Sequence, residues 1–338
     1  MKASRSLFPP LLFLLAACAP EGLLPIGTAT GVQIIASSTP LPPPVSSPIP
    51  STPLATATPL PHQLAERVVI ISFDGLMPGA IGKAPMNNLI TLMQDSAYSL
   101  SAQTILPSST LPSHTSMLTG YCPAKHGVYW NDLVPENGYA RGVNVFDLAH
   151  SAGLRTVMVV GKEKLRQIVR PESTDVFIYN ETDSSIANLA AAEIRKGFDL
   201  MFVHFPNGDV VGHEWGWMGG VQMWAFREED KYLGRILTAL DDSGLRPGTL
   251  LIITGDHGGY QHSHGGELPQ ETTIPWIVSG PGVIPGPLTS FIQTTDTGVT
   301  AAYMLGLAPA PDWDGIPVYE AFGLPTPLHI PAICLQTR

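Results

Sequence analysis

Cysteine is scarce in this sequence. Only Cys18, Cys122 and Cys334 occur in 338 residues, too few for a disulfide scaffold. Cys122 and Cys334 could pair in an oxidising compartment. Nothing in their sequence context fixes the geometry a disulfide needs, so two unpaired thiols are the expected state. Charge is sparse too, at 14% of residues, and positive charge most of all: 18 Lys and Arg against 28 Asp and Glu leave a net charge of −10. That balance argues against a nucleic acid duplex as partner. It does not argue against phosphate substrates, because bound cations can reverse the local field. Internal repeats are absent, and the apolar run Leu7 to Leu15 is too short for a comfortable membrane span.

What is present begins with a leader. Lys2 and Arg5 precede that apolar run, and Leu15-Ala16-Ala17-Cys18 closes it, as in a secretory signal. The closing residues resemble a bacterial lipobox. The resemblance implies a signal over residues 1–18, a lipidated Cys18, and a protein exported and anchored to the outer face of the cytoplasmic membrane or the cell surface. Residues 19–66 form a tether, and Ser37 to Pro61 is almost all Ser, Thr, Pro, Ala and Leu. Proline removes backbone donors and favours extended polyproline II, so a stiff, unfolded spacer is expected. A folded domain is placed at 67–325 and a tail at 326–338.

Val68 to Phe73 is a continuous β-branched run, hence a buried strand, ending at Asp74-Gly75. A short helix is expected over Asn87 to Ala97, and another beginning near Ser113. Val145 to Ala149 carries helical spacing with Gly153 as stop, and Thr156 to Val160 reads as a strand. A helix over Ser184 to Lys196, a strand over Leu200 to Phe205, an amphipathic helix over Gln222 to Leu240 and strands at Gly248 to Ile253 and Ile274 to Val278 follow. A helix from Thr295-Asp296 to Leu305 completes the unit. Such alternation predicts an α/β fold, a three-layer α/β/α sandwich around a mostly parallel sheet.

Ligands gather at the carboxyl ends of strands in such sheets. Those ends supply Asp74, Asp209, His213, Asp256 and His257, with Thr110 ahead of a helix and His264 in a loop. Asp209 and His213 are four apart, a spacing that brings both onto one ion. Each residue alone has a plainer explanation: Asp74 as a turn residue, Thr110 as a helix cap. Together they divide into two metal sites. Two divalent ions about 4 Å apart clamp the attacking and leaving oxygens of an in-line phosphoryl transfer. His and Asp donors suit zinc first and manganese second.

From about Val68 to Tyr303 the chain resembles the alkaline phosphatase superfamily, in its type I phosphodiesterase/nucleotide pyrophosphatase branch. Phe73-Asp74-Gly75, Thr110-Leu111-Pro112-Ser113-His114, Thr119-Gly120 with His126-Gly127, Asp209-Val210-Val211-Gly212-His213 and Asp256-His257-Gly258-Gly259 carry the resemblance. It implies one zinc held by Asp74, Thr110, Asp256 and His257, and a second held by Asp209, His213 and a third histidine. It makes Thr110 the nucleophile of a covalent phospho-threonine that water then hydrolyses. It makes Asn131 a hydrogen-bond donor to the phosphoryl oxygen. Many family members place the third histidine near the C-terminus. Here His329 lies in a Pro-rich tail, so His264 is assigned, with His262 as its rival. His114 is read as structural, and His126 as either structural or a support behind the ligands.

The implied substrate is a small phosphate ester, a phosphodiester or nucleotide pyrophosphate. Phosphomonoesterase or phosphonate hydrolase activity would use the same ligands. A sulfatase would need a Cys or Ser in place of Thr110, and a phosphoglycerate mutase conflicts with the secretion signal. A catalytically inactive ligand-binding lipoprotein is the alternative of another class. The pocket is expected between Tyr129 and Ala140 and from Trp215 to Trp224.

Overall fold

A computed structural model describes residues 64–326 and Cys334. The signal and lipobox expectations, the tether as far as residue 63 and His329 lie outside the described residues. Residues 64–66, placed in the tether, are instead bonded to the domain, with Ala65 in its core. Eight strands form one sheet: β1 (Arg67–Phe73), β2 (Ala97–Gln103), β3 (Thr156–Val160), β4 (Val176–Tyr179), β5 (Leu200–Phe205), β6 (Thr249–Gly255), β7 (Thr273–Ser279) and β8 (Gly286–Pro287). Their order is β4-β3-β5-β1-β6-β7-β2-β8. β7 runs antiparallel to both its neighbours, and the remaining pairings are parallel. β1, β3, β5 and β6 form the buried centre, which is why their sequences read as unbroken apolar runs rather than alternating ones.

Helices cover both faces. The helices are α1 (Pro78–Lys83), α2 (Asn87–Met93), α3 (Thr110–Thr119), α4 (Pro123–His126), α5 (Val145–Ser151), α6 (Asp183–Lys196), α7 (Asn207–Trp215), α8 (Gly220–Asp242), α9 (Pro269–Thr272) and α10 (Asp296–Met304). One core joins Val68 and Ile70 to Leu111, Met117, Phe146 and Val299, from α3, α5 and α10. The other joins Val69, Ile71 and Phe73 to Leu89, Ile186, Phe226 and Ile236, from α2, α6 and α8. Alternate residues of one strand thus feed opposite layers, and the three-layer α/β/α arrangement follows. On α8 the apolar stripe Met223, Phe226, Leu233, Ile236 and Leu240 is buried. Each such side chain stabilises the fold by about 1.5–3 kcal/mol.

Three elements depart from the sequence expectation. α2 stops at Met93, and Ala97 already belongs to β2. α3 begins at Thr110 rather than near Ser113, because Pro112 falls in the first turn, where no backbone N–H is required. Cys122 and Cys334 are joined in a disulfide across 212 residues, with Cα atoms 5.3 Å apart, rather than being two free thiols. The pairing arises because residue 334 returns to the start of α4, its carbonyl accepting from Leu106 N at 3.1 Å and its N–H donating to Gln293 Oε1 at 3.1 Å.

Candidate metal centre

The register of the central strands sets the first group. Phe73 of β1 lies beside Gly255 of β6, so Asp74 and Asp256 leave the sheet edge together. Gly75, at φ 76°, turns the chain there, a conformation suited to glycine, and its N–H donates to Asp256 Oδ1 at 3.0 Å. His257 follows, and all three side chains are fully buried. α3 brings Thr110 to the same place: its Oγ1 lies 3.4 Å from His257 Nε2.

The second group stands on α7, which leaves β5. Asp209 and His213 are one turn apart, and the loop after His257 folds back to add His264. Gly208 permits this approach, since a Cβ there would run into the Phe226 ring and the Asp74 carbonyl. The two groups adjoin, with His257 Nε2 4.0 Å from Asp209 Oδ1 and the rings of His257 and His264 stacked at 3.8 Å.

The donor atoms are prepared in one manner. The Nδ1 of His257, His213 and His264 each donates to a backbone carbonyl, that of Gly258, His262 and Ser108, at 2.8, 2.9 and 2.9 Å. Each Nε2 therefore keeps its lone pair, the tautomer a metal-binding histidine needs. Facing them are three buried carboxylate oxygens without a hydrogen-bond partner: Asp74 Oδ1, Asp209 Oδ1 and Asp256 Oδ2. His257 Nε2 is 3.4 Å from Asp74 Oδ1 and 3.3 Å from Asp256 Oδ2. Asp209 Oδ1 is 3.4 Å from His213 Nε2 and 3.3 Å from His264 Nε2. Those separations are long for N–H···O bonds. They match the edge of a tetrahedron, about 3.3 Å for metal bonds of about 2.0 Å. The residues present therefore fit two divalent ions.

Supporting groups lock the carboxylates. Gly161 N–H donates to His204 Nδ1 at 3.1 Å, so His204 Nε2–H donates to Asp74 Oδ2 at 2.9 Å. His114 donates Nδ1–H to Thr110 O at 2.8 Å and accepts from Ser72 Oγ at 2.8 Å, a structural role as expected. His126 packs against Ser116 Oγ at 2.9 Å. His262 donates to the His213 carbonyl at 3.1 Å and belongs to neither group.

Lys162, just beyond β3, was not singled out from sequence. Its Nζ lies 2.6 Å from Asp74 Oδ2, 2.5 Å from Asp209 Oδ2 and 3.2 Å from Thr110 Oγ1. Burial works against its charge, but Asp74 and Asp209 hold the ammonium above its ordinary range. In turn, burial opposes ionisation of Asp74, and Lys162 followed by His204 outweighs it, keeping the carboxyl well below the usual range. Asp256 is pushed up to about 7 by burial and by the charge of Asp74, which outweigh the opposing pull of His114 and Lys162. Burial lowers His257 to about 3, leaving it neutral.

Asn131 Oδ1 accepts from Leu111 N and Lys164 Nζ, both at 2.9 Å. Two donors on the oxygen fix the amide's orientation and leave its NH2 available. A cavity of about 500 Å³ adjoins, lined by Asn131, Leu133, Lys162, Lys164, Tyr179 and Asn207 among others. Its walls thus come from the ends of β3, β4 and β5. The expected Tyr129 to Ala140 segment contributes, but Trp215 to Trp224 does not. Trp217 is buried against Gly75, while Trp215 is 58% exposed.

The family profile for type I phosphodiesterase / nucleotide pyrophosphatase matches residues 68–272. A bis(5'-adenosyl)-triphosphatase of Xenopus laevis is 24% identical over 260 residues, 68% of this chain and 55% of that protein, so the chain spans about half the length of this relative. Among solved structures, murine ectonucleotide pyrophosphatase/phosphodiesterase 5, an inactive variant in complex with AMP, superposes with a TM-score of 0.63 at 15% identity, covering 73% of this chain and 96% of that one. A 2-O GAG sulfatase superposes at 0.68 and 15% identity, covering 79% and 76%. At these identities the two structures speak for the fold.

Proposed function

The chain belongs to the type I phosphodiesterase/nucleotide pyrophosphatase family, and from that premise we propose that it is an exported two-metal hydrolase cleaving phosphodiesters or nucleotide pyrophosphates through a phospho-Thr110 intermediate. The observation that carries the reading is the matched set of three Nε2 lone pairs and three unpartnered carboxylate oxygens at tetrahedral-edge distances. Asp74, Thr110, Asp256 and His257 would hold one ion; Asp209, His213 and His264 would hold the other. The all N/O donor set suits zinc. When bound, the ions supply positive charge to the attacking and leaving oxygens and favour ionisation of the Thr110 hydroxyl.

The chain's own residues do the rest. Thr110 Oγ attacks phosphorus, an Oγ–P bond forms, and the P–O bond to the leaving group breaks. Asn131, its oxygen tied by Leu111 and Lys164, directs its NH2 to a phosphoryl oxygen, a contact that strengthens as charge develops. Thr110 stands at the start of α3, where the helix dipole also favours an anion. Water then cleaves the Oγ–P bond and restores the hydroxyl. The neighbouring cavity takes the leaving group. A small phosphate ester of nucleotide size matches its volume.

Export and anchoring through a lipidated Cys18 rest on the leader residues. The Cys122–Cys334 disulfide supports them, because disulfides persist in oxidising compartments. The test is turnover by the zinc-loaded chain of nitrophenyl phosphodiester, phosphomonoester and sulfate ester in parallel. The diester should be hydrolysed fastest. Thr110→Ala should retain both metals and lose at least about 10⁴-fold in kcat. Absence of hydrolysis of every ester, or full activity without Thr110, overturns the reading.

A further inference from the structure

Resting on that reading, we propose that Lys162 is a further catalytic residue, one whose ammonium donates a hydrogen bond to Thr110 Oγ and stabilises the negative charge that oxygen carries when it ionises before attack and when it leaves phosphorus in the hydrolytic step.

An ammonium has three N–H donors and no acceptor. In Lys162 two of the three are committed to Asp74 Oδ2 and Asp209 Oδ2, at 2.6 and 2.5 Å. The third falls on Thr110 Oγ1 at 3.2 Å, so that oxygen is the acceptor. The two carboxylates come from different elements, the end of β1 and the first turn of α7, and fix the ammonium from two sides. Its direction toward Thr110 is thus imposed by the protein rather than by a flexible stem. The oxygens used are Oδ2 of both residues, whereas those facing the imidazoles are Oδ1. Lys162 therefore leaves the metal-facing carboxylate oxygens of both residues free and shares only Thr110 Oγ with the proposed ion.

The backbone is built for this reach. Gly161 is pressed against the Pro206 ring, where a Cβ would clash, and its N–H donates to His204 Nδ1 at 3.1 Å. The end of β3 is thereby drawn onto the end of β5, and the next residue overhangs the nucleophile. Lys162 also lines the adjoining cavity, beside Asn131. One donor serves the attacking oxygen and the other the phosphoryl oxygen. A donor on Oγ favours its ionised form over the hydroxyl before attack, and stabilises the charge that returns to Oγ as the Oγ–P bond breaks in the hydrolytic step, so it should appear in kcat rather than KM.

The test compares full-length, zinc-loaded wild type, Lys162→Met and Lys162→Cys on a nitrophenyl phosphodiester, with metal content measured by mass spectrometry. Lys162→Met should keep the wild-type metal content, lose about 10²–10³-fold in kcat and change KM by less than about threefold. Alkylating Lys162→Cys with 2-bromoethylamine restores an ammonium of nearly the same length, and should raise kcat by at least about tenfold over the untreated sample. Wild type treated in parallel controls for Cys18. The comparison before and after alkylation uses one folded sample, so it does not depend on how Lys162→Met folds. Wild-type kcat in Lys162→Met, loss of bound metal on substitution, or no recovery on alkylation overturns the proposal while leaving the hydrolase reading intact. Failure of the wild type itself to turn over the diester overturns both.

Discussion

The two ligand groups of this centre are alike in chemistry and unlike in construction. Asp74, Asp256 and His257 sit at the ends of adjacent parallel strands, fully buried, with their spacing set by the β1–β6 register. Asp209, His213 and His264 stand on a nine-residue helix and a returning loop, and the His213 side chain is 45% exposed. The inner group is as rigid as the sheet. The outer group is only as rigid as α7 and the loop, elements with less buried surface and more contact with water. On the proposed mechanism the difference becomes a division of labour: the buried group would activate Thr110, and the accessible one would face the solvent that supplies the hydrolytic water.

That division is broken most sharply at His264. Its imidazole closes the outer group, and the inner group contains no atom of it. His264→Ala should therefore remove about one of the two metal equivalents and lower kcat about 10²–10³-fold. Chelator titration of the wild type should show the same asymmetry, with one ion released before the other. Metal analysis and a stopped-flow chelation trace check both. Simultaneous release of two ions would mean that the groups act as one unit and that the contrast in burial has no functional weight.

Much of this contrast was legible in the sequence, and what was not has identifiable physical causes. β1, β3, β5 and β6 announce themselves because strands buried on both faces must be continuously apolar. β2, Ala-Tyr-Ser-Leu-Ser-Ala-Gln, carries no such run, and β4 is only four residues long. The antiparallel sense of β7 leaves no mark on its residues. α7 was read as a loop or a first turn because Asn-Gly-Asp-Val-Val-Gly-His has weak helix propensity. Its N-cap, Pro206, has no capping side chain. The helix is secured from outside, by Glu229 Oε1 accepting from Gly208 N at 2.9 Å and Gln222 Nε2 donating to Gly208 O at 3.0 Å. Asp209 with His213 and Asp256 with His257 could be singled out as candidate ligands because each of those pairs is local in sequence. Lys162 was missed because Gly-Lys-Glu-Lys looks like any solvated charged segment, and its three partners come from distant positions. The disulfide was missed for the same reason of distance.

A smaller effect would sharpen the comparison by loosening the outer group from behind. Glu229 is fully buried with Oε2 unpartnered, and Asp183 nearby has Oδ1 unpartnered. Burial, then the charge of Asp183, raises Glu229 well above the carboxylate range. Burial raises Asp183 to about 7. Glu229→Ala removes the support of Gly208 and should weaken the outer ion about tenfold, leaving the inner one unchanged. Glu229→Gln mimics the protonated acid and should keep both ions. Because these acids hold protons in the folded state that the unfolded chain has already released, their stability contribution is full below the ordinary carboxyl range. It is lost as pH rises through about 7, at up to about 1.4 kcal/mol per pH unit for one proton. Denaturant titrations across that range should show a slope that Glu229→Gln flattens. An unchanged slope would mean that the pair does not retain its protons.

The smallest effect is expected at His262, and it tests the boundary of the outer group. His262 and His213 exchange contacts through their backbones: each Nδ1 donates to the other's carbonyl, at 3.1 and 2.9 Å. The bond that orients His213 therefore comes from the His262 main chain, which any residue supplies. The His262 side chain reaches back only to the His213 carbonyl, which holds no metal-facing atom. His262→Ala should keep both metal equivalents and change kcat by less than about threefold. Loss of one equivalent would move the third outer ligand from His264 to His262. The loop, rather than α7, would then be the element that decides where the outer group ends.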